Sequence, residues 1–364
     1  MADTPNGSQW RLDWPVSGGA RIAAGKLKSC PDDFRVSEEV EGFPENLGQE
    51  AAPGGGEHLC LYLEKTGDNT EYVARELAVL SGCRSFDVGF CGLKDRHAVT
   101  RQWFSLYRPG QEAEDSAFIA EVSARWPVLS SYRHSRKLRR GDHRGNHFVI
   151  TLRDIAGSRT DIDNALNRLK AQGAPNYFGP QRFGIDGGNL DRAATMNPAA
   201  MGARGRSGGR GRKGKRPAAG DASKSAMYFS AARSWLFNEV LACRINDKSW
   251  LSLIDGEPGL AGETVPTGPL WGDGGTSAGG SLAELERGIV GQTPEFVRLF
   301  SATRMKPERR SLISRPGELK WTWPKDNCLE LAFFLTPGQY ATTILSDIFE
   351  LEDISLGQHK KHED

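Results

Sequence analysis

Alternating apolar residues near both ends of the chain constrain the fold more than any other feature of the sequence. In HLCLYLEK, Leu59, Leu61 and Leu63 alternate with other residues, and CLELAFFL repeats this pattern from Leu329 to Leu335. A period of two is typical of a half-buried β-strand. DFRVSEEV, RQWFSLY and NHFVITLRDI predict further strands. Because strand patterns open and close the chain, the simplest architecture is one sheet domain assembled from both chain ends around an inserted domain.

Helical periodicity separates several of these strands. The apolar residues of DNTEYVARELAVLSG recur at i, i+4 and i+7, which predicts a helix with a capping box of Asp68 and Glu71 and an end at Gly82. Residues 160–173 repeat this pattern, and SAARSWLFNEVLACRI predicts a helix capped by Ser230. The segment YATTILSDIFEL predicts a short helix near the end of the chain.

Length and composition indicate two domains. A chain of 364 residues with 38% hydrophobic content is too long for one ordinary domain and can bury a real core. The predicted boundaries are a first core segment, an insert and a second core segment: 1–172, 173–313 and 314–364. Within the insert, residues 201–225 hold seven Lys or Arg between Arg204 and Arg216 and almost no apolar residues. We therefore predict a disordered basic loop there.

Several function classes lack their sequence signals. No apolar run approaches the roughly 20 residues that span a bilayer, and MADTPNGSQW does not resemble a signal peptide, so we expect a cytoplasmic protein. The six cysteines form no C-x-x-C pair, which predicts neither a zinc site nor a disulfide framework. Phosphate-binding glycine motifs of nucleotide enzymes are also absent from the sequence. A net charge of +1 means that RNA binding would have to come from local clusters.

One carboxylate stands between two cations in GLKDRHAVT, where Asp95 follows Lys94 and precedes Arg96. Gly92 permits a tight turn, and a strand begins shortly afterwards. Neighbouring cations favour the ionised carboxylate, which could act as a nucleophile or a base. Taken alone, however, such a triplet is more typical of an ordinary charged surface turn.

Basic residues also cluster around aromatic ones. In KLRRGDHRGNHFVITLR, cations that include Lys137 and Arg139 precede Phe148, an arrangement that suits phosphates and an unstacked RNA base. The alternative is a charged hairpin with Phe148 in the core. APNYFGPQRFG, which contains Arg182, fits an RNA contact or a packed hinge equally well. The basic tract of the insert is either a polyanion-binding segment or a plain linker.

Four groups of segments, in this order, resemble the TruD family of tRNA pseudouridine synthases over most of the chain. They are KSCPDDFRVSEE, then GEHLCLYLEKTGDNTEYVA with FCGLKDRHAVTRQWF, then KLRRGDHRGNHF with PNYFGPQRFG, and finally YFSAARSWLFN with PTGPLWG and FLTPGQYATTIL. The resemblance implies an α+β fold: a pseudouridine synthase core with a mixed, largely antiparallel sheet, plus an inserted α/β TRUD domain that forms a V-shaped cleft. The long basic tract departs from the family pattern.

By the same resemblance, Asp95 is the catalytic aspartate, Phe148 stacks on the flipped uridine, Asn146 shapes the base pocket and Lys28 lies near the aspartate. The other predicted RNA contacts are the basic residues Lys94, Arg96, Lys137, Arg139 and Arg182. The implied reaction turns uridine into pseudouridine in tRNA, expected at uridine 13 of the D-arm, without metal or cofactor. We expect a monomer that needs no protein partner and no membrane.

Some alternatives stay open at the level of sequence. Asp95 could add to C6 of uracil, attack C1′ of the ribose or first take a proton from C2′. The substrate could also be rRNA or mRNA. A non-catalytic RNA-binding protein or tRNA chaperone would use the same basic surface, although the combination of Asp95, Phe148 and Lys28 argues against it.

Overall fold

The strands predicted near both ends of the chain join in one sheet of ten strands. The computed structural model describes residues 9–43, 55–196, 219–262, 264–301, 303 and 305–357. In chain order the strands are β1 (Ala23–Leu27), β2 (Phe34–Val40), β3 (His58–Lys65), β4 (Gly89–Phe90), β5 (Val99–Tyr107), β6 (Val128–His134), β7 (His143–Ala156), β8 (Ala174–Pro175), β9 (Thr267–Leu270), β10 (Glu308–Ser311), β11 (Ile313–Ser314), β12 (Gly317–Lys325), β13 (Cys328–Leu335) and β14 (Phe349–Asp353). The α-helices are α1 (Thr70–Ser81), α2 (Asp115–Ser123), α3 (Arg159–Gln172), α4 (Gly188–Ala194), α5 (Ala219–Asn246), α6 (Gly280–Val290), α7 (Pro294–Ser301), α8 (Ala341–Leu345) and α9 (Ile354–Gly357).

The sheet order explains how the two chain ends meet. Its main path runs β12-β13-β7-β2-β5-β3-β6, while β1 pairs with β7 and β14, and β4 pairs with β5. The pairs β2–β5 and β1–β14 are parallel, whereas the other pairs of this sheet are antiparallel. The prediction of a mixed, largely antiparallel sheet built from both chain ends is thus confirmed.

Residue contacts divide the chain into two compact units. The sheet unit comprises 22–163, 316–341 and 349–364, and the second unit comprises 1–21, 164–315 and 342–348. The second unit packs α4, α5 and α7 around an aromatic core and adds the short pairs β8–β11 and β9–β10. This division groups 1–21 and 342–348 with the insert and widens the insert itself to 164–315. The sequence-based domain boundaries stay a prediction. Over the described ranges, no helix is both long and apolar enough to cross a membrane.

Strand β3 is buried on both faces, although its pattern predicted a half-buried strand. Leu61 and its apolar neighbours pack against α1 and α2. On the opposite face, Cys60 and Tyr62 pack with Trp103 in a second cluster. The half-buried interpretation was wrong because the alternate positions hold cysteine and tyrosine, which are themselves apolar enough to form a core.

The N-cap of helix α1 lies one residue after the cap predicted from the sequence. Asn69 is the N-cap, and its side chain accepts a hydrogen bond from the backbone N–H of Tyr72. The predicted cap, Asp68, instead accepts a hydrogen bond from Trp126 Nε1 at 2.8 Å. The predicted end is confirmed, because Gly82 adopts the left-handed conformation with a φ of 68°.

Two segments differ from the helices predicted for them. Helix α5 begins at Ala219, so Ser230 lies inside the helix and residues 219–225, predicted to belong to the basic loop, are helical. The remainder of that loop lies outside the described residues. YATTILSDIFEL forms the short helix α8 and then the strand β14, because Phe349 and its neighbours pair in parallel with β1.

Candidate active site

The centre of the candidate site is a pair of opposite charges in the sheet unit. The Nζ of Lys28 lies 2.5 Å from Oδ2 of Asp95. Lys28 follows directly after β1 and has a φ of 54°, while Asp95 lies in the turn between β4 and β5. The Lys28 side chain is only 6% exposed, whereas that of Asp95 is 37% exposed. A buried ammonium therefore supports a carboxylate that solvent and ligands can reach.

The surroundings of Asp95 keep its carboxyl group ionised. Burial acts to raise the pKa of Asp95, but the hydrogen bond and charge of Lys28 and the backbone N–H of His97 outweigh it and hold the pKa below its usual value. The His97 N–H donates to Oδ1 of Asp95 at 3.0 Å. An ionised, partly exposed carboxylate is the form needed for a nucleophile or a base.

Phe148 is connected to the Lys28–Asp95 pair through the ring of Phe34. The Lys28 Nζ lies 5.0 Å above the ring of Phe34, which meets the ring of Phe148 edge to face at 6.0 Å. On its other side Phe148 stacks on Phe333 at 5.6 Å. Phe148 is half-buried, while the two flanking rings are buried. The arrangement holds one aromatic side chain rigidly at the margin of the core.

Pairing across β2, β7 and β13 fixes the position of Phe148. Phe148 lies opposite Val36 of β2 and Phe333 of β13. Three residues earlier, a Cβ on Gly145 would lie 2.3 Å from the Phe334 ring and 2.4 Å from the Leu335 carbonyl oxygen. Only glycine fits at this position, because any larger residue would push β7 away from β13.

Asn146 also comes from β7, and its side chain has an unused acceptor. Its Oδ1 is buried without a hydrogen-bond partner among the described residues. Buried amide oxygens are normally paired, so an unpaired one is consistent with a site that a ligand completes.

Lys94 has a different environment from that of the other predicted RNA contacts. Its Nζ lies 2.6 Å from Oε2 of Glu38, and the two side chains are 7% and 0% exposed. The backbone N–H of Lys94 donates to Oγ1 of Thr70 at 2.9 Å. These contacts fasten the turn that carries Asp95, so we do not propose Lys94 as an RNA contact.

Three predicted basic residues lie at the surface of the sheet unit or near it. Arg139 is exposed, and Lys137 is half-buried with its Nζ donating to the carbonyl oxygen of Phe86. Arg96 is exposed, and its Nε donates to Nε2 of His97 at 3.1 Å. Each of these cations can approach a phosphate from solvent.

Arg182 belongs to the second unit. Its guanidinium donates to Oγ of Ser230 at 2.7 Å and lies 5.7 Å from the ring centre of Phe178. The neighbouring aromatic residues Tyr177 and Phe178 are buried. The aromatic residues of this segment therefore belong to the core of the second unit, whereas Arg182 itself is exposed.

Asp353 was missed by the sequence analysis. Its Oδ2 lies 3.4 Å from Nζ of Lys28, so the ammonium has two carboxylate partners. The alternation of apolar and acidic residues in FELED was the available signal for the strand that brings Asp353 to this place. Within the part of the chain that the structure describes, no group of three or more His, Cys, Asp or Glu residues is arranged to hold a metal ion.

Comparisons with known proteins agree with one another. The family model described as "TruD: tRNA pseudouridine synthase D (TruD)" matches residues 19–191. The tRNA pseudouridine synthase D of Marinobacter nauticus is 60% identical, over 97% of this chain and 99% of its own length. The protein of the same name from Cellvibrio japonicus is 38% identical, over 96% of each chain.

A solved structure shares the fold. The crystal structure of the putative tRNA pseudouridine synthase D from Methanosarcina mazei superposes with a TM-score of 0.62 at 21% identity, over 91% of this chain and 95% of that one. This likeness supports the predicted α+β fold class. Because the sequence matches extend over nearly the whole chain at up to 60% identity, the chain belongs to the TruD family of tRNA pseudouridine synthases.

Proposed function

We propose that this chain isomerises uridine to pseudouridine in tRNA, at uridine 13 of the D-arm, with Asp95 as the catalytic carboxylate and Phe148 stacking on the flipped base. The observation that carries the proposal is the 2.5 Å pair between the buried Lys28 ammonium and the partly exposed Asp95 carboxylate. The relatives from Marinobacter nauticus and Cellvibrio japonicus are both named tRNA pseudouridine synthase D, which supports tRNA as the substrate.

The reaction needs one well-placed carboxylate. The bond between C1′ and N1 breaks, a bond between C1′ and C5 forms, and the proton of C5 is replaced by one on N1. Uridine and pseudouridine have the same composition, so the balance requires no oxidant or reductant. Attack on C1′, addition to C6 and removal of the C2′ proton each start from an ionised Asp95, and the lowered pKa of this carboxyl group supplies that form.

A uridine inside a folded tRNA must leave its stack to reach Asp95. Leaving the stack costs a few kcal/mol, and stacking on an aromatic side chain in the enzyme offsets part of that cost. Phe148 is suited to this role because Phe34 and Phe333 hold its ring on two sides while it stays half-exposed. We propose that the buried, unpaired Oδ1 of Asn146 accepts a hydrogen bond from the N3–H of uracil once the base has entered the site.

Basic residues on both units would hold the RNA backbone. Arg96, Lys137 and Arg139 lie on the sheet unit and Arg182 on the second unit, and we propose all four as phosphate contacts. The affinity for tRNA should then fall as salt rises, with a slope set by the number of phosphates contacted.

The test is to map pseudouridine after the purified protein has reacted with an unmodified tRNA transcript. We expect product at position 13 with the wild-type protein, none with Asp95→Asn, and similar tRNA affinity for both. Asp32→Asn is a matched control, because the Asp32 side chain is 68% exposed and its one ion pair among the described residues is with Arg35, at 3.2 Å. This control should keep full activity.

The outcomes separate the proposal from its alternatives. Absence of product from the wild type would support a non-catalytic RNA-binding protein. Product at another position, or only in rRNA or mRNA, would contradict the assigned substrate while keeping the chemistry. Full activity of Asp95→Asn would contradict the assigned catalytic residue.

A further inference from the structure

Lys28 is held by more than its contact with Asp95. Its Nζ lies 2.5 Å from Oδ2 of Asp95 and 3.4 Å from Oδ2 of Asp353, with the ring of Phe34 at 5.0 Å. The Lys28 side chain is 6% exposed. An ammonium so deeply buried has lost most of its hydration, and opposite charges must replace it. Two carboxylates do so here, one of them accessible to substrate.

Asp353 is itself fixed in place. Its Oδ1 accepts hydrogen bonds from Ser355, from the backbone N–H at 3.0 Å and from Oγ at 2.6 Å. Its side chain is 15% exposed, and Oδ2 faces Lys28. Because Oδ1 is engaged by Ser355, the carboxylate cannot rotate away from the lysine without losing these hydrogen bonds.

The register between β1 and β14 places Asp353 beside Lys28. Strand β14 runs parallel to β1, and Asp353 lies opposite Leu27, the residue before Lys28. On β1, Lys26 also pairs with a carboxylate, that of Asp154 at 2.8 Å, but these two side chains are 41% and 57% exposed. An exposed pair of that kind contributes little to stability, so it serves as a reference for what an ordinary ion pair does on β1.

We propose that Asp353 is a positioning residue for the reaction: it holds the Lys28 ammonium in place beside Asp95 and shares its charge. This inference rests on the proposed function of Asp95. When Asp353 is present, two carboxylates hold the Lys28 ammonium in the position from which it orients Asp95. When Asp353 is removed, the flexible lysine side chain keeps one of its two anchors, and the reacting carboxylate loses its fixed geometry.

The experiment compares single-turnover rates of pseudouridine formation in tRNA. Asp353→Asn keeps the shape of the side chain but removes its charge, and we expect the rate to fall about 10- to 100-fold with an unchanged dissociation constant for tRNA. Asp154→Asn removes the exposed partner of Lys26 and should keep the wild-type rate. Ser355→Ala removes only the Oγ hydrogen bond to Asp353 and should give a smaller loss.

A double-mutant cycle shows whether Asp353 acts through Lys28. If it does, Asp353→Asn has little further effect in the Lys28→Met background, whereas independent roles would give multiplied losses. Thermal unfolding of each variant identifies those that fold. Should Asp353→Asn not fold, Ser355→Ala decides, because a wild-type rate in that variant would overturn the inference.

The results also separate this inference from the proposed function. An inactive Asp95→Asn together with a wild-type rate in folded Asp353→Asn, or with multiplied losses in the cycle, would overturn the positioning role alone. Activity of Asp95→Asn would overturn the proposed function and this inference with it.

Discussion

The buried pair of Lys94 and Glu38 allows a sharp test of how the Asp95 turn is held. In Lys94→Met, a side chain of similar length replaces the lysine, and Glu38 is left without its cation at 0% exposure. Removing one partner of a buried ion pair costs about 3–5 kcal/mol. We expect the lower end, about 3 kcal/mol, because the backbone N–H of Trp103 still donates to Oε1 of Glu38 at 3.3 Å.

The assay is urea unfolding followed by circular dichroism, with tRNA binding measured in parallel over a range of salt concentrations. Lys94→Met should unfold at lower urea and react more slowly, while the salt dependence of its tRNA binding stays that of the wild type. Adding Glu38→Gln should recover most of the lost stability, because the amide needs no counter-ion. Arg96→Met, two residues away, is the contrasting control, for which we expect normal stability and weaker binding.

One result would refute this reasoning. If Lys94→Met kept wild-type stability but reduced the salt slope of tRNA binding by about one, Lys94 would be contacting a phosphate. The sequence-based assignment of Lys94 as an RNA contact would then be correct, and the ion pair with Glu38 would have to open when RNA binds.

Three further predictions concern other parts of the molecule. Gly145→Ala should lower both the melting temperature and the reaction rate, because its Cβ would overlap Phe334 and push β7 from β13. Buried Asp33 has a lowered pKa, because the Arg153 hydrogen bonds outweigh the effect of burial, so the stability that it contributes is present at neutral pH and lost as the pH falls below about 4. Urea midpoints of Asp33→Asn should therefore depend less on acid pH than those of the wild type. Deleting 204–216 should weaken tRNA binding, most at low salt, and leave the chemical step intact, and unchanged affinity at low ionic strength would contradict this.

Sequence patterns predicted the elements whose periodicity is local. The strand around Leu61, the end of α1 at Gly82 and the sheet built from both chain ends follow from spacing alone. GLKDRHAVT marked Asp95 as a candidate carboxylate, and the family resemblance gave it the catalytic role and added Lys28. In the structure the two side chains lie 2.5 Å apart. A charged triplet by itself gave no reason to prefer a functional aspartate over a surface turn.

The remaining features depend on partners that are distant along the chain. Asn69 and not Asp68 caps α1, because the Asp68 carboxylate accepts a hydrogen bond from the indole N–H of Trp126. The Lys94 side chain points inward because it forms an ion pair with Glu38 of β2. No residue next to Lys94 in the sequence indicates this partner. Local patterns carry no information about such pairings.

The late position of β14 in the chain also affects the protein while it is being synthesised. During synthesis, β1 to β7 leave the ribosome long before β14, at about 5–20 residues per second. Until β14 pairs with β1, Lys28 lacks the carboxylate of Asp353. Contacts between such distant residues form slowly, because a long loop must close first. A nascent chain therefore carries Lys28 and Asp95 without the arrangement that we propose for catalysis, and full activity should begin only once β14 has paired with β1.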